Sequence, residues 1–290
     1  MAILCKDLGL LYIMVPGTGC SVLGNVLLRQ FGGSYLPERD IVQNGRIVHQ
    51  RKHNTVPQIL RDGLITQTEL ESLLVVANVR NPFDRLVTYY QRLAGDWTEY
   101  AHGVQRRLIE RERQAMGEAE YAERVKLHER RMRRQQQRQR MIHRIGFNPW
   151  VLGTIARWCA RDAIAPPYLR INRREMQFTM LEGVDVVIRN EQLQEDVAAL
   201  LETLGTGKVE IPRKNVTQGK RPYTSYYSGF TRGVLSLLYR NQLSEFGYTF
   251  DGCSSDSPLI SRTPKYSRLQ EGEGKAVTMR SEANLQDATC

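Results

Sequence analysis

The chain has 290 residues, 41% hydrophobic and 25% charged, a composition that can bury a sizeable core and fits one α/β domain with insertions better than two domains. Its net charge of +10 points to an anionic partner such as a nucleotide, an acidic glycan, a nucleic acid or a membrane surface, with a solvated basic face as the plain alternative. No apolar run reaches the ~18 residues of a membrane span, no basic-then-apolar leader is present, and Cys5, Cys20, Cys159, Cys253 and Cys290 lack both pairing and metal-ligand spacing, so a membrane protein, a disulfide-framed secreted module and a zinc module are set aside in favour of a reducing, cytoplasmic setting.

In chain order, residues 9–15 read as a first buried strand and 20–31 as the helix after it. Residues 33–68 are mixed and polar, with loops at Gly32-Gly33 and Asp62-Gly63. Leu73 to Val79 is a second, nearly continuous apolar run, the pattern of a strand buried on both faces. A helix is expected from Pro82, since proline suits the first helical position and Asp84 the first turn. From about Asp96 to Arg144 the composition turns to Arg, Glu and Gln, peaking at Glu129 to Arg140, which predicts long, largely exposed helices inserted into the domain. An amphipathic helix follows at 148–161 and a third strand at 184–189. Leu193, Val197, Leu200, Leu201 and Leu204 then mark the core face of another helix, which Gly205 stops. A last helix is expected over 229–247, and beyond about Asp251 the chain reads as a flexible tail to Cys290. The expected fold class is α/β, with a central, mostly parallel sheet flanked by helices in three layers and ligands at the carboxyl ends of its strands.

Two places at that sheet edge carry chemistry. Pro16-Gly17-Thr18-Gly19-Cys20-Ser21-Val22 joins strand to helix. Backbone N–H groups and the positive end of the helix dipole converge there on a phosphate; Gly19 allows close approach, and Thr18 and Ser21 offer hydroxyls. The loop is neither a Walker A motif nor a dinucleotide fingerprint, and Val26 stands where a phosphatase loop opened by Cys20 would need Arg. At the second place Arg80 ends a strand and Thr88 follows eight residues later on the next helix. A guanidinium and a hydroxyl so spaced grip one phosphate from two sides. Two grips suggest a nucleoside with phosphates at both ends.

This pair of motifs resembles the sulfotransferases that use 3′-phosphoadenosine 5′-phosphosulfate (PAPS), most closely the branch with carbohydrate and many bacterial sulfotransferases. Residues 16–22 stand for their Pro-Lys-Thr-Gly-x-Thr/Ser-Ser loop and Arg80 to Thr88 for Arg-Asn-Pro-x-Asp-Arg-x-x-Ser. Val184 to Leu193, Tyr226-Tyr227 and Phe246-Gly247-Tyr248 echo them further. The resemblance spans about 8–250 without the insertion, and implies a P-loop-like sulfotransferase domain over 1–250, with the insertion at about 96–145. It implies that the amides of Gly17, Thr18, Gly19, Cys20, Ser21 and Val22 hold the 5′-phosphosulfate, and that Arg80 and Thr88 hold the 3′-phosphate. Arg221, in a late basic loop, is a second candidate grip on the latter. The acceptor is expected to be a hydroxyl or amine of a carbohydrate or another polar small molecule. His53 is the candidate base, since several relatives carry a Lys-His pair in a comparable segment; Glu38, Asp40 and His49 are its rivals.

Gly17 stands where the family carries Lys, and Lys52 or an insertion arginine is the expected substitute. Without one, the chain would bind PAPS or its product as a pseudoenzyme. A nucleotide kinase would need the missing Gly-Lys-Ser/Thr close, and a nucleic-acid-binding module would rest on the basic insertion alone; neither is the expected reading.

Overall fold

The computed structural model describes residues 2–43, 46–49, 53–94, 103, 106–107, 109–110, 113, 117–164, 176–206, 221–254 and 259–270. Its strands are β1 (Ala2–Cys5), β2 (Leu10–Ile13), β3 (Ser34–Leu36), β4 (Ile41–Gln43), β5 (Arg46–His49), β6 (Leu74–Val79), β7 (Val186–Arg189) and β8 (Ile260–Ser261). Its helices include α1 (Cys20–Gln30), α2 (Val56–Arg61), α3 (Gln67–Ser72), α4 (Pro82–Ala94), α5 (Glu118–Ile145), α6 (Phe147–Ile164), α7 (Met176–Thr179), α8 (Leu193–Thr203), α9 (Gly229–Leu238), α10 (Arg240–Glu245) and α11 (Pro264–Gln270). Two compact units divide the chain: Met1–Asn81 with Ile171–Gly219 and Asn241–Cys290, and Pro82–Arg170 with Lys220–Arg240.

The first unit is built on a six-stranded sheet of order β3-β1-β2-β6-β7-β8. Only β2–β6 and β6–β7 pair in parallel; β1–β2, β1–β3 and β7–β8 are antiparallel. The expected mostly parallel sheet is therefore corrected to a mixed one with a parallel centre. The edges escaped notice because β1 is four residues long and returns at once through Gly9, at φ 57. In the centre, successive side chains feed opposite faces. Leu10, Tyr12, Val76 and Ile188 pack with Leu23 and Leu27 of α1 and Leu200 and Leu201 of α8. Leu11, Ile13, Val75, Ala77 and Val187 pack on the other face with Ile59 of α2, Met180 and Phe246. A sheet covered on both faces needs apolar residues at every position, which is why these strands read as continuous apolar runs.

The expected free tail is corrected over 259–270. Leu259 is buried, β8 extends the sheet, and α11 buries Tyr266, whose hydroxyl meets Thr203 Oγ1 at 3.0 Å. Lys265 bonds the carbonyls of Leu70 and Leu73 and pairs with Asp185 at 3.5 Å. A composition averaged over the whole tail hides these few well-placed residues.

In the second unit, α4, α6 and a short turn at Tyr223–Tyr226 meet through aromatic rings. Phe147 lies edge-on to Tyr90, Tyr226 and Tyr227 at 4.8–5.7 Å, the favoured geometry for ring quadrupoles. Tyr227 Oη donates to Phe83 O at 2.8 Å and Gln91 Nε2 to Tyr226 Oη at 2.7 Å. The insertion forms α5, which is exposed except along a seam of Tyr121, Val125, His128, Met132, Gln135, Gln139 and Ile142. That spacing alternates four and three, one helical face, and half of it is polar, so apolar periodicity does not reveal it. Gln139 and His143 both donate to Ala94 O at the end of α4. The helix expected over 229–247 breaks at Tyr239 into α9 and α10. Among the described residues no helix is long and apolar enough to cross a membrane.

Candidate functional site

In the first unit, β2 delivers the buried residues Met14 and Val15 to the turn at 16–19, and α1 begins at Cys20. Gly17 and Gly19 sit at φ 81 and 76, the left-handed region that costs an L-residue ~1–2 kcal/mol. Gly19 has a second reason to lack a side chain, because a Cβ there would lie 2.2 Å from Asn190 Oδ1. Gly19 caps α1 without any side-chain hydrogen bond, and no acidic residue stands in the first turn. The positive end of the helix is thus left for an anion.

Two parts of the expected loop chemistry are corrected. Thr18 is fully buried and its Oγ1 donates to Val15 O at 2.9 Å, so the hydroxyl braces the turn instead of facing a ligand. The Val22 N–H donates to Gly19 O at 2.9 Å and the Val22 side chain is core, so this amide is spent within the turn. Cys20 is a buried packing residue of the same core, and Ser21 is exposed at the helix start.

At the end of β6 the backbone of Arg80 is clamped from both sides by Gln177. Its N–H donates to Gln177 Oε1 and its carbonyl accepts from Gln177 Nε2, each at 2.9 Å. The Asn81 N–H donates to Glu191 Oε1 at 2.8 Å, and Asn81 Nδ2 to the carbonyls of Thr249 and Gly252 at 2.9 and 3.2 Å. Tyr248 Oη donates to the other carboxylate oxygen of Glu191 at 2.8 Å. Glu191 is exposed as a residue, while both oxygens of its carboxylate are engaged, one by the Asn81 N–H and the other by the Tyr248 hydroxyl. Desolvation raises its pKa, offset in part by the Asn81 N–H, the Tyr248 hydroxyl and the Arg80 charge. So fixed, Arg80 directs its guanidinium to the glycine turn, where Nη1 lies 3.5 Å from Gly17 O. The 16–22 loop and the arginine of the second expected grip thus meet within one unit.

His53 joins them. Its Nδ1 lies 3.0 Å from Met14 O, two residues before the turn. A carbonyl can only accept, so Nδ1 carries the proton and Nε2 holds the lone pair of the neutral ring. The residue is exposed and adopts φ 67, the one positive value among the described non-glycine residues. Strain of that kind clusters at functional sites. Glu38 and Asp40 are exposed loop residues, and His49 ends β5. Lys52 lies outside the described residues. Thr88 and Arg221 belong to the second unit, where Thr88 is a buried residue of α4 and the Arg221 guanidinium lies 5.1 Å from the centroid of the Tyr226 ring.

Sequence reasoning missed Gln177, Asn190, Glu191 and Tyr248 as parts of this site. The last three lie in stretches noted only as echoes of a family; Gln177 carries no sequence signal at all, because its role comes from where α7 packs. The family model described as Sulfotransferase family matches residues 1–249. No curated protein and no solved structure matches the chain.

Proposed function

The chain belongs to the sulfotransferase family, and on that premise we propose that it moves a sulfuryl group from PAPS to a hydroxyl or amine of a carbohydrate or another polar small molecule, releasing adenosine 3′,5′-bisphosphate. The observation that carries the reading is that the Arg80 guanidinium reaches the glycine turn at Gly17 O while His53 Nδ1 is held on Met14 O, two residues before that turn.

PAPS, when bound, supplies an activated sulfuryl group on a phosphate leaving group. The uncapped start of α1 and the amides from Gly17 to Ser21 suit that 5′ end. Arg80 is assigned to the 3′-phosphate; Thr88 and Arg221 are assigned to it on the motifs alone. Neutral His53 accepts the acceptor's proton at Nε2 as the new O–S or N–S bond forms and the bond from sulfur to the phosphate oxygen breaks. The loop amides and a cation stabilise the charge left on the departing phosphate. At φ 81, position 17 strains any side chain, so the missing lysine agrees with the backbone; Lys52 remains the proposed cation.

Gly17 also favours a second reading, a pseudoenzyme that binds the nucleotide without transfer. One assay separates the two: sulfuryl transfer from labelled PAPS to a panel of polysaccharide and small hydroxyl acceptors. Transfer is expected, with His53→Ala lowering turnover ~10²–10⁴-fold while affinity for the bisphosphate changes less than about twofold. Undiminished turnover in His53→Ala contradicts the assigned base, and tight binding without transfer to any acceptor supports the pseudoenzyme.

A further inference from the structure

Two neighbouring residues at the end of β7 touch both phosphate grips. Asn190 packs its carboxamide against Gly19, so closely that a Cβ there would lie 2.2 Å from its Oδ1. Glu191 holds the Asn81 N–H at 2.8 Å, next to Arg80, and is itself held by Tyr248 Oη at 2.8 Å. One peptide step therefore separates the residue resting on the glycine turn from the residue fixing the arginine turn. Beneath them β7 is hydrogen-bonded in parallel register to β6, with Arg189 opposite Val79, so the step is anchored on two fully buried strands. Gln177 closes the arginine turn from its other side with two bonds at 2.9 Å.

We propose that Asn190 and Glu191 act as a strut that sets the distance between the glycine turn and Arg80, and so make the site selective for an adenosine nucleotide phosphorylated at both the 5′ and 3′ positions. The proposal rests on the PAPS reading above. Glu191 is a positioning residue in it. Its carboxylate would repel a phosphate, so its contribution comes through the backbone at Asn81 and the direction this gives Arg80. A ligand with a 5′-phosphate alone uses the glycine turn and does not sense the spacing. A 3′,5′-bisphosphate must satisfy both grips at once, and loses an oriented charge-assisted contact when Arg80 drifts.

The test is titration calorimetry of the full chain with adenosine 3′,5′-bisphosphate and with AMP. The readout is the ratio of the two dissociation constants, which a merely structural role would leave alone. Glu191→Ala is expected to reduce the preference for the bisphosphate about tenfold, with AMP affinity changed less than about twofold. Glu191→Gln, which keeps an acceptor for the Asn81 N–H, is expected to restore most of it. Where Glu191→Ala fails to fold, Tyr248→Phe removes only the hydroxyl that steadies the carboxylate, and should reduce the preference by a smaller factor. An unchanged ratio in a folded Glu191→Ala or Tyr248→Phe variant overturns the strut, as does an equal loss of both ligands. A wild-type chain that binds neither nucleotide overturns the PAPS reading itself, and the strut with it.

Discussion

Arg189 and Asp196 form a buried ion pair behind the site, 3.7 Å from Nε to Oδ2, and Asp196 Oδ2 also accepts the Arg189 N–H at 2.7 Å. Burial pushes the Asp196 carboxyl up to about 7 from its ordinary 3.8, against the pull of the Arg189 N–H and guanidinium. A carboxyl whose pKa rises on folding holds its proton more tightly in the folded chain, so its contribution to stability is full below about pH 4 and is lost as pH rises through about 7. The wild type should therefore lose melting temperature relative to Asp196→Asn between about pH 4 and 7; a difference that stays level or grows in the wild type's favour contradicts this. At this scale the sequence was partly legible. Gly19, Arg80 and His53 announce themselves, because a positive φ, a strand-end guanidinium and an imidazole beside a loop are tied to residue type. Thr18 and Val22 did not, because only the folded turn shows that a hydroxyl and an amide are consumed within it.

Among the elements, β2, β6 and β7 were legible because a strand buried on both faces has no polar alternation to confuse it, and α8 because its Leu and Val spacing repeats the helical turn. The antiparallel edges and α11 were not, being short elements whose apolar residues are few. Helix α11 nevertheless seals one face of the sheet: Tyr266 is 3% exposed and packs into the same core as Leu200 and Leu201. Tyr266→Ala should cost about 2–4 kcal/mol in urea unfolding, through lost burial and a residual cavity. A loss under about 0.5 kcal/mol, the range of surface substitutions, would show that this helix does not belong to the core.

Over the whole molecule the charge is unevenly divided. The second unit has 22 Lys and Arg against 10 Asp and Glu, and the first has 19 against 21. The first unit is thus close to neutral by itself, and the anion site proposed there rests on local donors, the glycine turn and Arg80. The basic surplus first read as a mark of an anionic ligand instead concentrates on α5, where Arg130, Arg131, Arg133, Arg134, Arg138, Arg140 and Arg144 are exposed and have no carboxylate partner among the described residues. Net charge alone does not locate a ligand; the proposed phosphate site rests on the described geometry at the loop, not on the charge.

The most direct test is a thermal-shift comparison of adenosine 3′,5′-bisphosphate with AMP, ADP and Mg-ATP at equal concentration, on the wild type and Arg80→Ala. A ligand at a hundred times its Kd stabilises by about 2.7 kcal/mol, so the bisphosphate should raise the melting temperature by several degrees. The other three should raise it less, and Arg80→Ala should lose the bisphosphate shift. A larger shift with Mg-ATP, or a bisphosphate shift that survives in Arg80→Ala, would contradict the account.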